Sequence, residues 1–137
     1  MGKTLSQGYR DLRVYRWAYQ LAMVIYNESK TFPTEERYSL TDQIRRSSRS
    51  VVANIAEAYR KRRYPNMFIA KMADADSEVA EVQVWLDFAH DCGYLPPERH
   101  VELLNGYREV GKMIGSMIAE PEKFRVLQAE GAKKRQP

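Results

Sequence analysis

Two sets of side chains in this sequence could do chemistry: a group of basic residues at helical spacing, and a few potential metal or nucleophile residues near one another. The basic group is Arg45, Arg46 and Arg49, followed by Arg60, Lys61, Arg62 and Arg63. A guanidinium suits phosphate because its planar fork donates two parallel hydrogen bonds. At about 100° per residue, Arg45, Arg49, Arg60 and Arg63 fall within about 60° of one another and Arg46 lies just beyond, so a helix here carries a basic band. The alternative is a solvated face whose arginines pair with carboxylates such as Asp74, Asp76, Glu78 and Glu81 on the next helix. For a single copy this paired face is the favoured reading. In a ring-shaped oligomer the band repeats, and multiple phosphate contacts shift the balance toward nucleic acid.

The second set is sparse. His90 and His100 are the only histidines and Cys92 the only cysteine. A di-metal bundle needs inward carboxylates from its helices and two Glu-x-x-His pairs, whereas this chain offers one Asp87-x-x-His90 step. Cys92 falls at a helix end beside Asp91, where dipole and neighbouring charge both disfavour a thiolate. There is no Gly-rich phosphate loop, Walker lysine or Rossmann turn. Gly111 and Gly115, one helical turn apart, read as a place where another helix approaches closely. The expectation is a protein with no catalytic residue, no metal and no cofactor.

The elements that position these residues are helical throughout, because apolar residues recur at helical spacing and no segment sustains a period-two alternation. A first helix runs from about Leu12 to Thr31, with Val14, Trp17, Ala18, Leu21 and Ile25 on its stripe, and stops before Phe32-Pro33. A second starts near Ser39 to Asp42, buries Leu40, Ile44, Ser48, Val51, Ile55 and Ala58, and ends in the basic run. The third follows Tyr64-Pro65-Asn66 on the heptad Phe68, Met72, Ala75, Val79, Val82, Leu86 and Ala89, and Gly93 ends it. The fourth runs from Pro96-Pro97 to Pro121 on Val101, Leu104, Gly111, Ile114 and Ile118. Short loops predict an all-α, antiparallel up-down-up-down four-helix bundle, one domain over 1–121, with a basic C-terminal tail over 122–137 that includes Lys123, Arg125, Lys133, Lys134 and Arg135.

Composition agrees with one globular domain. The chain has 137 residues, 44% hydrophobic and 29% charged, with a net charge of +4 that permits a polyanion partner without identifying one. A lone cysteine forms no internal disulfide, no apolar run reaches the length of a membrane span, and Met1 to Ser6 lacks an apolar secretion segment. The expected compartment is the cytoplasm, with no membrane partner.

Apolar residues also exceed one core. The third helix presents Val84, Trp85, Phe88 and Cys92 away from its heptad, the first presents Tyr15, Tyr19, Met23 and Tyr26, and the fourth Met113 and Met117. Tyrosines can bury a ring in a wide core arc and keep the hydroxyl wet, but large exposed patches mark interfaces. The expected oligomer interface is therefore Tyr15, Tyr19, Val84, Trp85, Phe88, Met113 and Met117.

Several separated motifs carry a resemblance. Tyr9-Arg10-Asp11-Leu12 leads into Val14 and Trp17, followed by Tyr38-x-Leu40-Thr41-x-Gln43-Ile44-Arg45-Arg46 and Ser50-Val51-Val52-Ala53-Asn54-Ile55-Ala56-Glu57. With Glu81-x-Gln83-x-Trp85-Leu86 and Cys92-Gly93-Tyr94-Leu95, the chain from Tyr9 to about Ile118 resembles the four-helix-bundle proteins encoded in intervening sequences of bacterial 23S ribosomal RNA genes. That family is similar in fold to the accessory variability protein of diversity-generating retroelements. The resemblance implies a ring-like homopentamer, a nucleic-acid partner and an association with a reverse transcriptase, and no catalysis. Val52 stands where the family often has proline and Ala58 where it often has glycine, so the second helix is expected to be straighter here. The functional reading is a non-enzymatic homo-oligomer that binds structured RNA or DNA, with a protein–protein adaptor lacking direct nucleic-acid contact as the alternative.

Overall fold

The computed structural model describes residues 8–124. A short 3-10 turn over Gly8–Asp11 leads into α1 (Arg13–Ser29); a second turn over Thr34–Glu36 precedes α2 (Leu40–Arg60), and α3 (Pro65–Asp91) and α4 (Pro97–Ala119) follow. Helices adjacent in sequence pack together, and α4 returns to α1, so the four surround one core. Among the described residues no helix is long and apolar enough to cross a membrane.

Local chemistry explains the boundaries. Pro65 and Pro97 open α3 and α4 at positions where the missing N–H has no helical partner. Gly93, at φ +83°, closes α3 with a paired cap in which its N–H reaches His90 O and the N–H of Tyr94 reaches Ala89 O. Before α2, the Glu36 carboxylate accepts from Ser39 Oγ at 2.7 Å, from Tyr94 Oη at 2.9 Å and from the Leu40 N–H at 3.3 Å. The Ser39 and Tyr94 hydroxyls hold Glu36 below its ordinary value of 4.5, and the same contact pushes Tyr94 up to about 12. A depressed carboxyl stabilises the fold fully above its unfolded value and loses that contribution as pH falls through the folded one. Acidification below pH 4.5 is therefore expected to release the connection before α2. Carboxyl NMR of Glu36 should titrate low and move upward in Tyr94→Phe; an unchanged titration in that variant would remove Tyr94 from the account.

The core confirms three of the four expected stripes. Val14, Ala18, Leu21 and Ile25 of α1 are buried, although Trp17 is only half-buried, and the expected α2 and α3 positions are buried throughout. On α4 the expected stripe holds at Ile114 and fails at its other positions. Leu103, Tyr107, Val110, Ile114 and Met117 face inward, whereas Val101 is 54% exposed and Leu104, Gly111 and Ile118 are half-buried. Adjacent Leu103 and Leu104 allow two helical phases, and the structure takes the one that buries Leu103 and Tyr107. Met117, expected at an interface, is consequently a core residue. The close helix approach is also elsewhere: a Cβ on Gly106 would lie 2.6 Å from Leu21 Cδ2, while Gly111 has only ordinary contact and Gly115 faces open space.

Tyr107 is 0% exposed and its hydroxyl has no hydrogen-bond partner among the described residues. Burial pushes its phenol well above the ordinary value. Leaving such a group unsatisfied costs about 1–3 kcal/mol. Tyr107→Phe should therefore raise stability by about 1 kcal/mol, seen as a higher urea midpoint at unchanged slope. A lowered midpoint would mean that the hydroxyl has a partner.

Packing continues past Pro121, the expected domain end. Phe124 lies 5.6 Å from Phe68, ring to ring, and Lys123 pairs with Glu120 at 2.7 Å. The expected tail residues Arg125, Lys133, Lys134 and Arg135 lie outside the described residues.

Candidate nucleic-acid interface

Helix α2 carries the basic band, but its arginines divide between two sides. Arg46 reaches across to α3, where its Nη2 bonds Glu81 and approaches Glu78 at 3.4 Å. Desolvation works against the Glu81 carboxylate, yet hydrogen bonds from Arg46 and from Trp85 Nε1 at 3.1 Å outweigh it and keep the group acidic. Arg46 is held above its ordinary value by the same contacts, its hydrogen bond to Glu81 foremost. This is the carboxylate pairing expected of a solvated face, and Arg46 is the one member of the basic group to which it applies among the described residues.

The other basic residues find no acid among the described residues. Arg45 turns toward α1, donating from Nε to Ser29 Oγ at 2.7 Å, with its guanidinium carbon 4.9 Å from the Tyr26 ring centroid. Arg49 stands over the same ring at 5.7 Å. Arg62 lies 3.8 Å over Tyr59 and donates from Nη1 to Tyr59 O at 2.9 Å. Arg60 is exposed on the last turn of α2, whereas half-buried Lys61 and exposed Arg63 follow in the turn after it, so Arg63 does not share the helical phase expected of it. Aromatic rings and carbonyls orient these cations without neutralising them. From Arg45 to Arg60 the band extends about 22 Å at 1.5 Å per residue, long enough for several phosphates of a strand.

Two apolar surfaces flank the band. Between α1 and α2, Tyr9, Tyr15, Tyr19, Met23 and Tyr26 line a groove of about 360 Å³ with Arg49 at its edge. Successive ring centroids are 5.1 Å apart for Tyr9–Tyr15 and 6.0 Å for Tyr15–Tyr19. On α3, Val84 is 47% and Phe88 53% exposed, and Trp85 lies half-buried 5.9 Å from Phe88. Trp85, Phe88, Cys92 and the exposed Tyr38 border a second cavity of about 460 Å³. Of the expected interface residues, Tyr15, Tyr19, Val84, Trp85 and Phe88 thus occupy these surfaces. Met113 packs half-buried against the core and, like Met117, belongs to neither.

The histidines and their neighbouring carboxylates pair with one another, and Cys92 is a free, exposed thiol. Asp87 bonds His100 Nε2 at 2.8 Å, not His90. His90 bonds Asp91 at 3.0 Å and stacks on His100 at 4.4 Å. Among the described residues no three of His, Cys, Asp or Glu are placed to hold a metal ion.

A family profile described as "23S rRNA-intervening sequence protein" matches residues 10–116. The chain belongs to that family. A comparison with curated proteins returns no match. Among solved structures, the chain is similar to a crystal structure of a protein of unknown function from the S23 ribosomal protein family of Bacteroides thetaiotaomicron. The two share 29% identity over 77% of this chain and 95% of that one, with a TM-score of 0.70. The matched span covers α1, α2 with its basic residues, α3 and all but the end of α4.

Sequence reasoning missed Lys30 and Arg37, which add positive charge next to Arg45. Both lie outside the four helices, in the connection between α1 and α2, where no periodicity marks a face.

Proposed function

We propose that the protein is a non-enzymatic, ring-forming homo-oligomer of up-down-up-down four-helix bundles that binds structured RNA or DNA through repeated basic bands. The observation that carries this reading is the lack of any carboxylate partner, among the described residues, for Arg45, Arg49, Arg60, Lys61, Arg62 and Arg63. The paired-face alternative requires those partners, and among the described residues Arg46 alone of the basic group has them. Short connections between α2 and α3 and between α3 and α4 favour antiparallel neighbours.

Self-association is supported by the unlike apolar surfaces on α1/α2 and on α3. Two different patches suit a head-to-tail contact, which closes into a ring when the rotation permits. The family resemblance favours a pentamer. Closure would set the bands at the seams between protomers, since Arg49 borders the groove. Phosphate contacts of this kind position a polyanion without reading its bases.

The test is titration of the pure chain with folded RNA and with duplex DNA at low salt. Binding with little base preference is expected, and no binding to either would overturn the reading. Capture of a protein partner such as a reverse transcriptase that survives nuclease treatment, with no affinity for RNA or DNA, would replace it with the adaptor reading.

A further inference from the structure

A second basic feature lies where α1 ends and α2 begins. A cavity of about 270 Å³ there is lined by three cations, Lys30, Arg37 and Arg45, and by the hydroxyl-bearing Ser29, Thr34 and Thr41; no carboxylate lines it. Among the described residues none of the three cations pairs with an acid. Glu36, close by in sequence, is committed to Ser39, Leu40 and Tyr94 and borders the other cavity.

These cations are held in position. The bond from Arg45 Nε to Ser29 Oγ leaves both terminal nitrogens of that guanidinium without a partner among the described residues. Lys30 Nζ and the Arg45 guanidinium carbon each lie 4.9 Å from the centroid of the same Tyr26 ring. Lys30 also complements the C-terminal end of α1, but Arg37 and Arg45 have no such role. Thr41 is 8% exposed, and its hydroxyl has no hydrogen-bond partner among the described residues. It belongs to the first turn of α2, where backbone N–H groups lack helical acceptors. Gathered positive charge, an unused planar fork and an unsatisfied hydroxyl together form the complement of a tetrahedral anion.

We propose that this cavity binds a phosphate monoester, with Arg45 and Arg37 donating to its oxygens and Lys30 balancing its second charge. The group could be the end of a nucleic-acid strand or a small free phosphate compound. The first source rests on the nucleic-acid reading above, and the site itself does not. Two arms separate the sources: inorganic phosphate against chloride at equal ionic strength, read by calorimetry and melting temperature, and a 5′-phosphorylated against a 5′-hydroxyl RNA of one sequence.

Inorganic phosphate should bind and raise the melting temperature. Arg37→Gln, at an exposed residue outside the helices, should weaken phosphate binding about tenfold, or about 1.4 kcal/mol. Arg45→Gln should do at least as much, and Lys112→Gln on α4 should change nothing. A several-fold preference for the 5′-phosphorylated RNA would assign a strand end; phosphate binding without that preference would assign a small free phosphate. No phosphate effect in either arm, or an effect that persists in Arg37→Gln and Arg45→Gln, would overturn the site. RNA binding that survives this failure leaves the band intact, and phosphate binding without RNA binding overturns only the band.

Discussion

Reversing two exposed charges, Arg60→Glu with Arg63→Glu, should weaken binding to folded RNA on the order of 50-fold at low salt and leave helix content unchanged. Neither side chain is buried, so their loss removes no packing. Each arginine that meets a phosphate releases a counterion, and each glutamate in its place adds repulsion, so the salt dependence should also flatten by about two contacts. Arg46→Gln supplies the contrast. Its charge is already taken by Glu78 and Glu81, so RNA affinity should change less than about twofold, because a neutralised cation adds little to phosphate attraction. Filter binding or fluorescence anisotropy would check both. An Arg46→Gln loss as large as that of Arg60→Gln, which removes the same charge from an unpaired residue, would mean that net charge alone governs binding, and the unpaired band would lose its role.

The second large effect is on assembly. Val84→Asp with Phe88→Asp should convert the proposed oligomer to a monomer of 16.0 kDa in light scattering. Both residues are about half exposed and point away from the bundle core, so the single protomer should remain folded. Each side chain is already about half covered in the protomer, so its removal forfeits about half of the roughly 1.5–3 kcal/mol of a full burial, and an unpaired carboxylate placed at the interface costs more. RNA affinity should fall with the mass, because separated protomers no longer share one polyanion at high effective concentration. A wild-type chain that already weighs 16.0 kDa in solution would remove the ring and its multiplied band together.

Much of the fold was legible because three helices carry strong periodic stripes. The heptad from Phe68 to Ala89 is buried at every position, and Gly93 takes the left-handed cap that its place after α3 required. Asn54 and Glu57 of α2 both contact Lys71 Nζ on α3, at 3.3 Å and 2.7 Å. Helix α4 was harder because adjacent leucines, Leu103 and Leu104, permit two phases, and the decisive residue is an aromatic with a polar tip. The site divides in the same way. Periodicity placed Arg45, Arg49 and Arg60 along one helix, but it could not show that Arg46 turns to Glu81 while Arg45 turns to Ser29. That depends on which neighbouring helix each side chain meets, and the distinction between paired and unpaired arginines carries the functional argument. The connection holding Lys30 and Arg37 has no repeat from which to read a face.

The central claim is that the unpaired cations of α2 and of the turn that follows it meet phosphate. The most direct measurement is the affinity of the intact chain for a folded RNA from about 50 to 200 mM salt, a range over which phosphate-dominated binding falls steeply. Six cations without carboxylate partners predict a log–log slope steeper than about −3, with Arg60→Glu plus Arg63→Glu flattening it. A slope near zero, or no binding at the low-salt end, would contradict the account.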